Sequence, residues 1–389
     1  MPFIDISYFV IQPEGNEEFK AEWKYCLDQL AIQARKTSFR IFKLNVFVYS
    51  TDIIDYYIKK RYITNTLSHI FGEECPPFGV LSISPEKPVS VSIEAGIIRP
   101  AGHEVIYRKY KKWRYVLIEK DDYKELWANG LECPWACLNT WLSSVMAFKI
   151  MRRILFSENM NFDSIVQQWN YVGSILSPER QNPFFIQTYY VFNRVRFSYY
   201  KRYREFSCFP AATGIGMKFH GLMVDFCAVT PGSDIRIISV ENPRQLNPYH
   251  YDKNVLRTSV FHAQKQVPLF DRAKLLVCKG KSRLLVSGTA SIVGQETIGK
   301  SDIQKQTSIT IENIEKLINN DNLLKYCGQT RLNKPDKYKR IRVYVKNAED
   351  IPKVRSICSE HFGNVPAIYV QTQICRTDLL VEIEAELHS

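Results

Sequence analysis

The chain has 389 residues, 45% of them hydrophobic and 24% charged, with a net charge of +12. That length and balance predict about two globular domains with a sizeable core, and no apolar run of about 18 residues occurs, so no transmembrane helix is expected. The first residues, MPFIDISYFVIQPEGNEEFK, lack the basic and apolar regions of a secretory signal, so a cytoplasmic location is expected.

In chain order, strands are predicted near 4–11, 42–49 and 88–98, with helices near 16–34 and 52–71. Residues 105–180 change character. A basic–aromatic strand pair containing RKYKKWR (108–114) precedes the apolar helical stretch CLNTWLSSVMAFKIMRRILF (137–156), whose apolar face reads as packing rather than as a membrane segment. After the loop SPERQNP, a helix is predicted over FFIQTYYVFNRVRFSYY (184–200), with Arg194 and Arg196 among its aromatics and KRYR (201–204) at its end. PAATGIGM (210–217) carries glycines suited to a tight turn or to close approach of a ligand, and it lacks the strand–turn–helix setting of a phosphate loop. Strands near 219–229 and 235–240 lead to the polar loop ENPRQLNPYHYD (241–252). Two apolar strands, KLLVCKG and SRLLVSGTASIVG, follow. The small residues around Gly288 suit a bulge or the floor under a flat ligand. A long helix is predicted from 302 to 320.

The chain also repeats itself. PPFGVLSISPEKPVSVSIEA (76–95) aligns without a gap with PAIYVQTQICRTDLLVEIEA (366–385), and each follows a strand, a helix and Phe-Gly. Two α+β halves are therefore predicted in a pseudo-symmetric arrangement, with mixed sheets and helices packed on one face. Residues 1–160 would form an N-terminal domain with a helical extension and 161–389 a C-terminal catalytic domain. The closing strand alternates Val381, Ile383, Ala385 and Leu387 with Glu382, Glu384 and Glu386, which predicts one apolar face and one wetter face. Glu384 aligns with Glu94 and reads as structural. Glu382 aligns with Ser92, Cys375 with Pro85 and Arg376 with Glu86, so these three read as equipment of the second half alone.

Neither GxSxG nor HExxH occurs, and the seven histidines do not cluster, so carboxylates are the expected proton carriers. The ten cysteines sit largely in apolar runs and read as reduced thiols. Cys133 and Cys137 have a metal-like spacing but no second ligand pair, so no metal is expected. The basic segments suit a nucleic-acid surface or a small anionic substrate.

QQWNYV (167–172), FNRVRFSYY (192–200), FPAATGIGM (209–217), NPRQ (242–245) with Tyr251 beyond it, LVSGTASIVGQET (285–297) and CRTDLLVEIEAEL (375–387) together resemble the chorismatases. These are chorismate-cleaving enzymes with a fold related to the YjgF/RidA superfamily. The resemblance runs from about residue 165 to the end; before that it rests on the repeat. It implies that Glu382, at the position of the family's acid, protonates the enolpyruvyl ether of chorismate. Such an acid must be held protonated by burial, so Glu382 should face an inter-domain cleft, with Glu384 and Glu386 wetter or locally paired. Cys375 matches a cysteine of the branch that aromatises its product to 3-hydroxybenzoate, with some 4-hydroxybenzoate; the other branch hydrolyses chorismate to a dihydrodiol. Arg376, Arg196 and Arg272 are candidates for the substrate carboxylates, Tyr251 and Gln306 for its hydroxyl, and Gly288 for the pocket floor. The resemblance implies neither cofactor nor metal, and a chain able to act as a monomer or weak oligomer. ETIGKSD (296–302) departs from the family's ESxHxGD, which removes a histidine relay. Ala367 stands where imine-deaminating relatives carry arginine. The alternative is a RidA-like protein binding RNA or a metabolite without this chemistry, and a catalytically dead scaffold is a third reading.

Overall fold

The computed structural model describes residues 5–15, 17–36, 39–100, 102–133, 139–178, 187–252, 266–327 and 332–389. Cys137 and most of the SPERQNP loop lie outside these residues. The first third contains β1 (Asp5–Ile11), α1 (Phe19–Lys36), β2 (Arg40–Val48), α2 (Ile53–Phe71), β3 (Phe78–Leu81), β4 (Ser84–Pro85) and β5 (Val91–Arg99). The middle contains β6 (Glu104–Tyr110), β7 (Trp113–Lys120), β8 (Tyr123–Glu132), α3 (Thr140–Ser157), β9 (Ile165–Gly173), α4 (Thr188–Tyr203), β10 (Ala211–Met217) and β11 (Leu222–Thr230). The last part contains β12 (Ile235–Val240), β13 (Ala273–Cys278), β14 (Lys281–Ala290), β15 (Ile292–Val293), β16 (Glu296–Thr297), α5 (Ile303–Ile318), α6 (Asn320–Cys327), β17 (Lys337–Val345), α7 (Ile351–Phe362), β18 (Ala367–Gln371) and β19 (Val381–His388).

The helices begin where the sequence supplies caps. Asp52 accepts from the amides of Ile54 and Asp55 at the start of α2, Asn139 from Leu142 at α3, and Asp302 from Lys305 at α5. At the far end of α2, Gly72 adopts φ +53°, a conformation that L side chains rarely take.

The fold is α+β, built of mixed sheets. One pairing pattern occurs three times. β1–β5–β2–β3, β8–β11–β9–β10 and β14–β19–β17–β18 each run antiparallel, antiparallel, parallel. The middle sheet extends beyond β8 with β7 and β6. The last extends beyond β14 with β13 and β12, and borrows β4 beyond β18. The two segments aligned by sequence are the first and third copies. The second was hidden because β10 and β11 are joined by residues 218–221 alone, whereas the aligned copies have nine-residue connections. The gapless alignment also slips by one residue at its start: Leu44 N bonds Pro77 O as Ile341 N bonds Pro366 O. The segments 1–160 and 161–389 share the middle sheet, with β6–β8 coming from one and β9–β11 from the other. PAATGIGM forms a strand rather than a turn; its glycines serve close approach, Gly214 beneath the Tyr189 ring and Gly216 against Gln373.

Each sheet packs helices on one face: α1 and α2 on the first, α3 and α4 on the second, α5 and α7 on the third. The opposite faces meet in a shared core, where Tyr8, Phe42 and Phe47 of the first touch Trp127, Trp169 and Tyr171 of the second and Leu285 and Tyr344 of the third. Here the expected wet face of β19 is overturned. Every residue of β19 is buried, and Glu384 and Glu386 are fully so, because the side of the strand that would face water in a lone sheet faces two other sheets.

The buried glutamates are neutralised rather than hydrated. Arg342 grips Glu94 through Nε (3.0 Å) and Nη2 (2.6 Å), Arg340 bonds Glu384 at 2.8 Å, and Arg283 joins Glu386 (2.9 Å) to Glu125 (2.8 Å). Lys43 stands 3.4 Å from Glu94, its ammonium over the Trp169 ring. Burial alone would raise these carboxyls. Arg342 and Arg340 outweigh it at Glu94 and Glu384, and Arg283 does so at Glu386, so all three lie below the usual range. Burial and the neighbouring Arg340 push Lys43 down to about 8.

Groups depressed in this way contribute stability that is present above the unfolded carboxylate value, about 4.3, and lost as pH falls through the folded values. Denaturant unfolding of Arg342→Met at pH 7 is expected to show a loss of about 3–5 kcal/mol, because the buried Glu94 loses both of its short guanidinium bonds and keeps only the longer contacts with Lys43 and Arg340. The wild-type stability should decline as pH falls below about 4. A loss under about 1 kcal/mol would mean that Arg342 does not hold the sheets together.

Candidate active site

A cavity of about 840 Å³ opens between the second and third sheets. The second contributes Ala212, Thr213 and Gly214 of β10 with Tyr189, Tyr190 and Arg196 of α4. The third contributes Gly288 and Ala290 of β14, the loop 375–379 and Glu382 of β19. Its described lining lies wholly within 176–382, so the cleft expected between an N-terminal and a C-terminal half lies between the second and third sheets instead.

The position of Glu382 follows from strand register. β17 and β19 pair Arg340 with Glu386, Arg342 with Glu384, and Tyr344 with Glu382. The third rung of this ladder carries a phenol where the others carry guanidinium. Glu382 therefore has no arginine opposite it, and its other neighbour is Ala290. Burial, then the ionised Glu384 two residues away, raise its carboxyl to about 8, against a smaller opposing pull from Arg272. The alternation Arg340, Arg342, Tyr344 in KRIRVYV is the signal in the sequence for this difference.

Gly288 sits where β14 bulges away from β19, between Val286 and Thr289. A Cβ there would lie 2.0 Å from Glu382 Oε1 and 3.2 Å from Thr213 Cγ2, so the carboxyl occupies the space that a side chain would fill. Thr213 ties the site to the core: its hydroxyl donates to Glu384 and accepts from Gly288 N.

The three candidate arginines all line the cavity, and among the described residues none is paired with a carboxylate. Arg196 is buried, with Nη2 on Asn193 (2.6 Å) and no partner for Nε. Arg272 is also buried, with Nη2 on the Tyr251 hydroxyl (2.9 Å) and the Leu246 carbonyl, and its Nε is likewise unpartnered. Arg376 lies over the Tyr251 ring and donates to Gln295 O at 2.8 Å. Acidic residues share the cavity: Asp252, Glu296, and Asp378, which is paired with Lys300. An oriented but uncompensated buried guanidinium gains most from a ligand carboxylate.

Cys375 lies on the cavity wall. Burial and then Glu382 push its thiol up to about 12, so it is a neutral S–H group near neutral pH. Gln306 is not on the wall. Fully buried on α5, it accepts from Leu380 N and donates to Asp378 O (2.8 Å each) and Gly299 O, which fixes the loop entering β19. Its contact with a ligand hydroxyl, expected from sequence, is not part of this arrangement. Tyr189, Tyr190, Phe270 and Lys300 also line the cavity; the first two lie on α4, the helix from which only Arg196 was expected at the site. Among the described residues, no group of three or more His, Cys, Asp or Glu is placed to hold a metal, and no helix is long and apolar enough to cross a membrane.

A buried acid, a bulge glycine and arginines without carboxylate partners among the described residues thus line one cavity on three stacked α+β units. A chorismatase crystal structure superposes with a TM-score of 0.69 over 99% of this chain and all of that one, at 20% identity, and so shares its fold. In sequence, the chain is 36% identical over 238 residues to a 3-hydroxybenzoate synthase of Streptomyces hygroscopicus and 34% identical over 229 residues to a chorismatase of Streptomyces rapamycinicus. Each alignment covers 58% of this chain and 64% of the relative, so the chain spans somewhat less than two thirds of the relatives' length. No family model matches the chain.

The raised Glu382 carboxyl has a thermodynamic signature. Between the unfolded value of about 4.3 and the folded value of about 8, the native state holds a proton that the unfolded state releases. Wild-type stability therefore contains a contribution that falls as pH rises through this window. Glu382→Gln should gain stability relative to wild type from pH 5 to pH 8, measured by urea unfolding at a series of pH values. A constant difference across the window would place the folded carboxyl in the ordinary range.

Proposed function

We propose that this chain binds chorismate in the cavity and cleaves its enolpyruvyl ether, with pyruvate and 3-hydroxybenzoate as products. The observation that carries this reading is a carboxylic acid kept protonated to about pH 8 in a cavity that also holds three arginines without carboxylate partners. Chorismate supplies what those groups lack: two carboxylates for the guanidinium groups and an electron-rich enol carbon for the acid.

In this reading Arg196, Arg272 and Arg376 hold the substrate carboxylates, and Tyr251, fixed between the last two, limits how the ring can sit. Glu382 transfers its proton to the terminal methylene of the enol ether. The double bond's electrons form the new C–H bond, and the positive charge left on the ether carbon is shared with the ether oxygen. Glu382 is then an anion in a buried site, next to that charge, which favours the cationic intermediate. Cleavage to pyruvate plus an aromatic hydroxybenzoate consumes no water overall, whereas release of a dihydrodiol consumes one. Cys375, a neutral thiol, acts by occupying the wall beside the acid rather than as a thiolate nucleophile. The relative named 3-hydroxybenzoate synthase and the cysteine seven residues before the acid both favour the aromatic product.

The test is to incubate the protein with chorismate, follow pyruvate and identify the second product by chromatography and mass. Pyruvate with 3-hydroxybenzoate is expected, with Glu382→Gln slower by at least about a hundredfold. The rate should fall as pH rises above about 8, because the acid is then spent. Absence of pyruvate from folded protein would sink the reading, and a dihydrodiol would overturn the product. Gly288→Ala, which drives a methyl into the Glu382 carboxyl, should retain the fold and lose most turnover. Full activity in that variant would mean that the acid is not held in place by the bulge.

A further inference from the structure

The basic–aromatic segment 108–114 has no part in the site above. It borders a second cavity, of about 480 Å³, between the first and second sheets. Strand register shows that this cavity is built on the same plan as the first. Met223 of β11 pairs with Tyr171 of β9 and Glu132 of β8, as Glu382 of β19 pairs with Tyr344 of β17 and Ala290 of β14. Gly130 sits in the β8 irregularity beside Ala128 and Leu131, as Gly288 sits in the β14 bulge between Val286 and Thr289. Asp225 lies behind Met223 as Glu384 lies behind Glu382, opposite Trp169 where Glu384 is opposite Arg342. α2 and β3 supply the remaining wall, in the places of α4 and β10.

Two features distinguish this cavity. The residue in the position of the acid is Met223, which has no proton to give. The described lining also carries five cations, Lys60, Lys109, Lys111, Lys112 and Arg114, against one carboxylate, Glu132. Lys60 pairs with Glu132 and Lys109 with Glu73. Arg114 and the two turn lysines are left without a carboxylate among the described residues. Arg114 Nη2 reaches only Ser68 Oγ, at 3.4 Å, and its buried Nη1 has no partner. Beside these charges stand the Trp113 indole, stacked on Tyr110, and the apolar side chains of Phe78, Val80 and Met223.

We propose that this second cavity binds a small aromatic carboxylate and holds it without turnover. Arg114 takes the carboxylate, Lys112 adds a second charge at the mouth, and the Trp113–Met223 wall covers the ring. The volume is ample for a single ring with its carboxylate. Only the choice of hydroxybenzoate as probe rests on the chorismate reading; the site does not.

The experiment is calorimetric titration of the full chain with 3-hydroxybenzoate, with Arg114→Leu, Lys112→Glu and Arg196→Leu in parallel. Wild type should bind two molecules per chain and Arg114→Leu one. Lys112→Glu, an exposed change that spares the fold, should weaken the second site about tenfold, as expected for loss of a charge-assisted contact. Arg196→Leu should remove only the first-cavity site. A single site that survives Arg196→Leu and disappears in Arg114→Leu would support this proposal and count against ligand binding in the first cavity. Stoichiometry and affinity identical in wild type, Arg114→Leu and Lys112→Glu would overturn it. Displacement of the probe by a single-stranded oligoribonucleotide, with binding that collapses as salt is raised, would overturn it in favour of a nucleic-acid surface.

Discussion

The cross-strand ladder between β17 and β19 is the constraint on which both the fold and the site rest. Three glutamates point from one strand into the region where the sheets meet, and there they are all but inaccessible to solvent. A buried carboxylate without a partner costs several kcal/mol, so each must be paired, or protonated. Arg340 and Arg342 pair two rungs and Arg283 reinforces the outer one. Because Arg342 also grips Glu94 of β5, and Arg283 also grips Glu125 of β8, the same guanidinium groups join the third sheet to the first and second. Charge neutralisation and domain assembly are one set of contacts.

The unpaired rung then acquires chemistry as a consequence. Glu382 is nearly as buried as its neighbours, but Tyr344 stands opposite it, and the ionised Glu384 repels the charge that it would carry. Strong pairing at Glu384 thus helps to keep Glu382 protonated. Thr213 transmits the geometry as well, bonding Glu384 and the Gly288 amide so that the bulge holds its place beside the acid. One strand carries structural carboxylates and an acid two residues apart, and only their cross-strand partners distinguish them.

The threefold recurrence of the pairing pattern shows how the site became singular. At the position of Glu382 the first copy has Ser92 and the second Met223, while the residue behind it stays acidic throughout, as Glu94, Asp225 and Glu384. The acid that meets the central basic groups or amides is needed in every copy, because each copy faces the same buried centre. The outer residue answers to its own cavity and has been free to differ.

Periodicity, caps and the repeat in the sequence determined much of this. The strand of alternating glutamates, the helices opened by Asp52 and Asp302, the kinship of 76–95 with 366–385, and the difference between Glu382 and Ser92 are all local properties, written in side-chain spacing. Of the candidate arginines, Arg196 and Arg376 lie within short motifs and Arg272 lies outside them, and the fold brings all three to one cavity. Gln306 lies outside those motifs, and only packing shows that its amide is used up in holding the loop before β19. Tertiary structure alone decided that the second face of β19 is dry, since burial there comes from sheets distant in sequence. It also decided that the middle of the chain is a third copy, disguised by a short β10–β11 connection, and that a cleft forms between the second and third sheets. A sequence specifies which residues share a face of a strand, whereas the charge state of a residue on that face depends on what the rest of the chain brings against it.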